Sequence, residues 1–490
     1  MNSNTLTGNF SIFSAALLAG LGTVSVASGA GTPVQEMSRS VETLCPSLKA
    51  AYTANPRALT AAEQDVLFRC GELKLGPGQS FANLSAAQQN GLGNMTSDES
   101  SVMGASTVAL SGAQNIAILG RLSGLRGKTS STVAVRGGLG SPSEALSPGT
   151  SASGAVNQNN QTYNDDGDAL AIMPFATSGG YEGSFSQMSD YGKWGLFVTG
   201  SYGTGNKDTT LREPGFDFDS WSLVSGLDYR VTDQLVLGLA LSYATTKSSI
   251  DNNGGDVDLD GFGGSLYGTY YVGDFYLDFL AGAAGKKYDT ERNVRYSVAA
   301  NTAGMTVVDQ VFAGDTDATD VNFGLGTGYN LSFGGFAVTP FAHLAYLQST
   351  IDDYTEKQQG QNGNAGFGLA LRVDEQEVKS LASNLGVQLA HAINTSGGVL
   401  TPYVRVDWEH EYENDARNIT AHFANVARNY DALNVITIPT DNPDRDFVNF
   451  SAGLSTVFPG GLQCFVDYST VLGYEDITLH RFVVGLRMEF

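Results

Sequence analysis

From Trp194 to Phe490 apolar and polar residues alternate with a period of two. Leu235, Leu237, Leu239, Leu241 and Tyr243 alternate with Val236, Gly238, Ala240, Ser242 and Ala244. Val404, Val406, Trp408 and Tyr412 alternate with Arg405, Asp407, Glu409 and Glu411. The last run places His480, Phe482, Val484, Leu486, Met488 and Phe490 on one face, with Arg481, Val483, Gly485, Arg487 and Glu489 on the other. Successive side chains of a strand point to opposite faces, so each run predicts a strand with one apolar face and one small or charged face. Twelve such strands are expected, centred near residues 198, 224, 240, 266, 281, 325, 343, 386, 405, 451, 467 and 484. Short connections such as Val231-Thr232-Asp233, Val272-Gly273-Asp274 and Pro459-Gly460-Gly461 alternate with long ones. The long ones fall near 203–216, 247–257, 290–318, 351–376 and 413–445, and only the final one, Gly473 to Asp476, is brief.

A soluble β-sandwich would alternate in the same way, so strand length and turn pattern decide. The apolar stretches run about ten residues, the length a tilted strand needs to cross a bilayer. Tyr or Trp recurs at strand ends, as in an aromatic girdle, and short turns alternate with long loops around an even strand count. Closure removes the unpaired edges that lipid cannot satisfy. Residues 191–490 are therefore expected to form an all-β, 12-stranded antiparallel transmembrane β-barrel, with both barrel ends on the periplasmic side of a Gram-negative outer membrane. Composition agrees: 16% of residues are charged, and 60 glycines accompany 21 Tyr and 25 Phe. The mean hydropathy is slightly negative, which a helical membrane protein would not show. A net charge of −23 argues against nucleic acid as a partner.

Upstream, the period changes. Residues 1–30 read as a signal peptide, apolar from Ile12 to Ala27, although no Lys or Arg precedes Arg39. Residues 31–126 read as a small helical region. Thr60-Ala61-Ala62-Glu63 has the spacing of a capping box, and Val66, Leu67 and Cys70 behind it share a helical face. A further helix is expected over Ser97 to Arg126, with Ile116, Leu119, Leu122 and Leu125 on one side. Residues 127–190, rich in Gly, Ser, Asn and Thr, read as a flexible linker. Cys45 and Cys70 sit in one short segment, and a disulfide between them is favoured over a metal site. Cys464 is left over within a strand, as an apolar filler.

No catalytic constellation emerges. Residues 31–190 contain no histidine to serve as base for a nucleophilic Ser or Cys, and no His-Glu-x-x-His occurs anywhere. The five histidines, at 343, 391, 410, 422 and 480, all fall in barrel strands or loops, where His343 or His410 reads more simply as lumen or girdle filling than as an active site. Asp256, Asp258, Asp260 and Gly261 match the first half of a calcium loop, but Tyr267 stands where its last carboxylate belongs. Three acids on one strand face is the plainer reading. No cofactor and no metal site are expected.

Trp221 to Tyr243 (WSLVSGLDYRVTDQLVLGLALSY) resembles the second hairpin of the autotransporter β-domain of type V secretion, and Asp260 to Asp278 and the final RFVVGLRMEF are similar to the same family. The resemblance implies an order of signal, passenger, linker helix and barrel, with the passenger reaching the cell surface through the pore. Ala113 to Arg126 is similar to the helix that plugs such pores, which makes Arg121 and Arg126 lumen-facing cations, with Arg405, Asp407 and Glu409 as lumen charges. Phe490, with Met488, Leu486, Val484 and Phe482 at alternate positions before it, resembles the signal read by the barrel-assembly machinery. The implied partners are outer-membrane lipid, that machinery and periplasmic chaperones, around a monomeric barrel. Two departures stand out: about 80 residues of candidate passenger, with no β-helix repeat, and a long stretch between helix and first strand. The expected function is a non-enzymatic translocator displaying its own short N-terminal segment. The rivals are a channel or structural barrel with a periplasmic helical domain, and an adhesin acting through the loops at 290–318 and 413–445.

Overall fold

In a computed structural model, residues 32–73, 84–107, 118, 193–299, 305–360, 364–413, 415–459 and 461–490 are described. The expected signal peptide (1–30), the linker (127–190) and both Arg121 and Arg126 lie outside them.

Twelve antiparallel strands close into a barrel. They are β1 (Trp194–Lys207), β2 (Phe216–Arg230), β3 (Leu235–Ile250), β4 (Gly255–Val272), β5 (Phe275–Ala299), β6 (Met305–Tyr329), β7 (Phe336–Ile351), β8 (Gln376–His391), β9 (Gly398–Glu411), β10 (Asp446–Val457), β11 (Gln463–Leu472) and β12 (Ile477–Glu489). Each pairs with the next along the chain, and β12 returns to β1 in the register Leu196↔Met488 and Val198↔Leu486. All twelve expected strand centres fall within these spans. The outward faces carry the apolar sets read from the alternation: Leu239, Leu241, Phe482, Val484, Leu486 and Met488 are all exposed. Inward faces hold small residues and packed aromatics. Tyr267 lies across Gly238, where a Cβ would strike the ring, which accounts for part of the glycine content.

Two expected long connections turn out otherwise. The segment near 247–257 is a tight turn of Asp251–Asn253, in which Asn252 and Asn253 hold positive φ, a region Asn tolerates better than most residues. The segment 290–318 is mostly strand. β5 and β6 each run 25 residues and pair from Phe275↔Tyr329 to Ala299↔Met305, so their hairpin rises far beyond its neighbours. The segments at 351–376 and 413–445 fold into a small sheet of Tyr354–Thr355, Leu371–Val373, Asn418–Phe423 and Ile436–Pro439. This sheet and the hairpin form a crown at the long-connection end.

Among the described residues, the helices α1 (Pro33–Ala54), α2 (Ala61–Glu72) and α3 (Ala86–Gly93) precede the barrel, and residues 98–107 are helical as well. α1 starts where Thr32 caps Gln35 N and Pro33 supplies a pre-set φ. α2 starts at the Thr60–Glu63 capping box, with Thr60 N donating to Glu63 Oε2 at 2.7 Å. Cys45 of α1 and Cys70 of α2 are joined as a disulfide, their Cα atoms 6.2 Å apart. Met37, Val41, Leu44, Leu48, Val66 and Leu92 bury the inner faces of these helices in a core that continues into the crown through Val308, Phe312, Leu371 and Phe423.

Candidate functional site: crown and lumen

The helices sit on the crown through specific polar contacts around that shared core. Asp65 of α2 accepts from Gly366 N (3.1 Å) and Gly368 N (2.9 Å), and Glu63 Oε1 accepts from Ala427 N (3.0 Å). Gly366 has φ +90°, and a Cβ on Gly368 would run into the Ala62 backbone, so glycine is required for this approach. Thr43 donates to Leu433 O (3.0 Å), Asn94 to Arg295 O (2.6 Å), and Thr306 to Glu72 Oε1 (2.7 Å). Beneath the helices Arg292 of β5 forms a bidentate pair with Glu356 through Nε (2.8 Å) and Nη2 (2.5 Å). Glu356 also accepts from Leu371 N at 2.7 Å, so both partners of this buried pair are well held.

Residues 98–107 descend from the crown into the mouth of the barrel. Ser100 meets Tyr354 OH at 3.0 Å, and Tyr288 OH donates to Met103 O at 3.3 Å. Ser106 meets Ser248 of β3 at 3.3 Å, and Lys286, paired with Asp320, donates to Thr107 O at 3.3 Å. Ile118, the next described residue, lies lower in the lumen, in its short-turn half. Its cluster holds Phe197, Val236, Tyr271 and Tyr276, all close to the short turns. β1 begins at that end, where Trp194 and Phe490 exchange backbone hydrogen bonds.

Arg405 pairs with Asp407 at 2.8 Å and stacks over the Phe341 ring. Asn384 and Asn449 each donate to both Asp407 (3.0 Å) and Glu409 (2.8 and 2.7 Å). The expected pairing of Arg121 or Arg126 with these acids falls outside the described residues. Arg405, Asp407, Glu409 and Arg481 wall a cavity of about 600 Å³ roofed by Ser101 and Ala105. Phe482, Val484, Leu486, Met488 and Phe490 all face outward, each about half exposed. Asp256, Asp258 and Asp260 are spread along the outer face of β4 and bond Ser249, Lys247 and Tyr243 of β3; no metal-binding cluster occurs among the described residues. Cys464 is partly buried in β11.

Sequence reasoning missed the Arg292–Glu356 pair, Asp65 and the buried Glu99. A signal for the first did exist: Tyr288, Thr290, Arg292, Val294, Tyr296 and Val298 keep the period of two through a stretch expected to be loop.

The autotransporter β-domain family model matches residues 196–469. A protein of the trpE-trpG intergenic region of Pseudomonas putida is 27% identical over 230 residues, 46% of this chain and 36% of its own length. Outer membrane protein B of Rickettsia rickettsii is 31% identical over 147 residues, 29% of this chain and 9% of its own. The chain thus spans about a third of the first relative and about a tenth of the second. Among solved structures, the translocator domain of autotransporter NalP from Neisseria meningitidis overlays with a TM-score of 0.45 at 15% identity, covering 61% of this chain and 90% of that one. The β-domain of the Bordetella autotransporter BrkA gives 0.41 at 18%, covering 61% and 100%. The matched family is one of non-enzymatic outer-membrane translocators, whose short turns face the periplasm. With more than half of its 490 residues matched by that model around a closed twelve-stranded barrel, this chain belongs to the autotransporter β-domain family of Gram-negative outer-membrane proteins.

Proposed function

We propose that the barrel exports its own N-terminal helical domain and keeps it seated on the outer crown, with the following segment left in the lumen. The observation that carries this reading is the path of the chain. The helices within 33–73 and 84–107 pack on the long-connection end, Ile118 lies in the short-turn half of the lumen, and β1 starts beside those turns. A chain that begins its barrel in the periplasm and has its N-terminal helices outside must run through the pore. The rival reading, a channel with a periplasmic helical domain, would put those helices at the other end. An adhesin acting through 413–445 would need loops that α1 and α2 here cover. On this reading the helical domain holds no Ser-His or Cys-His nucleophilic pair, since residues 31–190 contain no histidine. The disulfide between Cys45 and Cys70 then forms in the periplasm, before or during export. The outward-facing alternate residues of β12 are what the barrel-assembly machinery and chaperones would engage, and the barrel acts as a monomer.

An epitope tag at Ser80, stained on intact cells, tests the proposal. An external signal that protease shaving removes is the expected result. Staining only after permeabilisation would overturn it and leave a periplasmic domain.

A further inference from the structure

Glu99 lies on the helical stretch 98–107 with 1% of its surface exposed, and neither carboxylate oxygen has a hydrogen-bond partner. The charged and titratable groups around it come from several elements, and of these the Arg292 guanidinium bonds through Nε and Nη2 but leaves Nη1 without a hydrogen-bond partner. On its own helix, Asp98 accepts from Thr96 at 2.7 Å. From β5 come Arg292, already engaged bidentately by Glu356, and Tyr288, bonded to Met103 O. From the segment 354–356 come Tyr354 of the small sheet, which meets Ser100, and Glu356 just after it. Arg417 packs against Gly104, and Glu213, paired with Lys207, lies on the same side. Lys286, lower in the lumen, is paired with Asp320. One guanidinium therefore serves Glu356, while Glu99 and Asp98 stand beside it without a cation of their own.

We propose that the seat of the helical domain on the crown is an acid-strengthened latch, closed when Glu99 carries a proton and loosened when Glu99 must ionise. The inference rests on the reading that this domain sits on the outer crown, where external pH reaches it. A buried carboxylate with no donor cannot stay charged without a large desolvation penalty. Burial, opposed only in part by Arg292, holds the Glu99 carboxyl well above its ordinary range, and burial pushes Asp98 up to about 6. Away from the crown both groups return to ordinary carboxylate values near 4. A group whose docked pKa is raised contributes stability that is complete below the undocked value and is lost as pH rises through the docked value. Docking is therefore tightest in acid, and Glu99 alone weakens it about tenfold per pH unit above roughly 4.5 for as long as the docked carboxyl stays protonated.

The test is hydrogen exchange of residues 98–107 in the refolded full chain in lipid vesicles, corrected for the chemical exchange rate at each pH. The opening equilibrium is expected to rise nearly 1,000-fold from pH 5 to pH 7, about 100-fold of it through Glu99 and about tenfold through Asp98. Glu99→Gln, which mimics the protonated form, is expected to remove the Glu99 share and leave a rise of only about tenfold, through Asp98. A parent profile that is flat with pH while the segment stays protected would overturn the latch and leave the seat on the crown intact. A Glu99→Gln chain with the parent's slope would also overturn it, by assigning the effect to another group. A segment unprotected at every pH would show that the domain is not seated on the crown at all, and the latch falls with that reading.

Discussion

Strands β4, β5 and β6 cross two environments, and their faces exchange roles between them. In the lower half the outward positions are apolar, as with Phe262, Leu266, Phe275, Leu277, Phe323 and Leu325. The inward ones mix glycine, serine and buried polar groups such as Asp278 and Asn322 with the packed rings of Tyr267, Tyr271 and Tyr276. In the upper half of the same strands the outward positions are Asp256, Asp258, Lys287, Asp289, Asp315 and Asp317. There the inward ones, Val257, Leu259, Tyr288, Val294, Val308 and Phe312, build a core with the helices. Lipid outside and water inside demand one polarity; water outside and a packed domain inside demand the reverse. The inversion marks where the membrane ends, and a barrel that ended there would have no need of it.

The largest effect expected from breaking this arrangement is in the crown. Arg292→Leu leaves Glu356 and Glu99 buried with no cation, and removing one partner of such a pair destabilises by about 3–5 kcal/mol. Exchange of 371–373 and 436–439 should accelerate accordingly, while the β1–β12 seam stays protected. Loss of protection throughout the barrel would mean that crown and band do not behave as separate regions. Next in size is the band. Leu239→Arg places a charge on the lipid face and should lower barrel stability by about 2–4 kcal/mol. The same change at Asp289, outward on the crown, should leave stability unaltered. Denaturant unfolding in vesicles, followed through the exposed Trp194, Trp221 and Trp408, reads both. Equal effects at the two positions would erase the boundary just drawn.

The legibility of the two regions follows from the same inversion. The band announces itself because alternation with an apolar outward face has one explanation over ten or more residues, and Leu235 to Tyr243 or Phe482 to Phe490 can scarcely be read otherwise. The upper β5–β6 hairpin keeps the period, but its charged outward face and its shorter apolar runs look like a polar loop when the band's polarity is taken as the template. Local chemistry at the helices is equally readable: a hydroxyl three residues before a carboxylate marks α2 at Thr60 and Glu63. The seating of Asp65 on Gly366 N and Gly368 N is not readable, because it joins residues about 300 positions apart and neither partner has a local pattern. Glu99 was hidden for the same reason, since only tertiary packing makes an ordinary helical Glu a buried one.

Two smaller effects sharpen the contrast between the helical domain and the barrel that holds it. Replacing both Cys45 and Cys70 by Ser removes a link across 25 residues, and the freed chain entropy should lower the domain's stability by about 2–4 kcal/mol. Exchange in α1 and α2 would report this, with the barrel strands unchanged. Thr60→Ala is the finest probe. It removes the hydroxyl that accepts from Glu63 N at 3.2 Å and half of a reciprocal cap, for a loss of about 1 kcal/mol. Glu63 also accepts from Ala427 N of the crown, so the cap and the seat share one carboxylate. If the cap holds Glu63 in position for Ala427, protection at 426–427 should fall together with that of the first turn of α2. If only α2 frays, the crown positions Glu63 unaided, and the helix is held by its seat more than by its own cap.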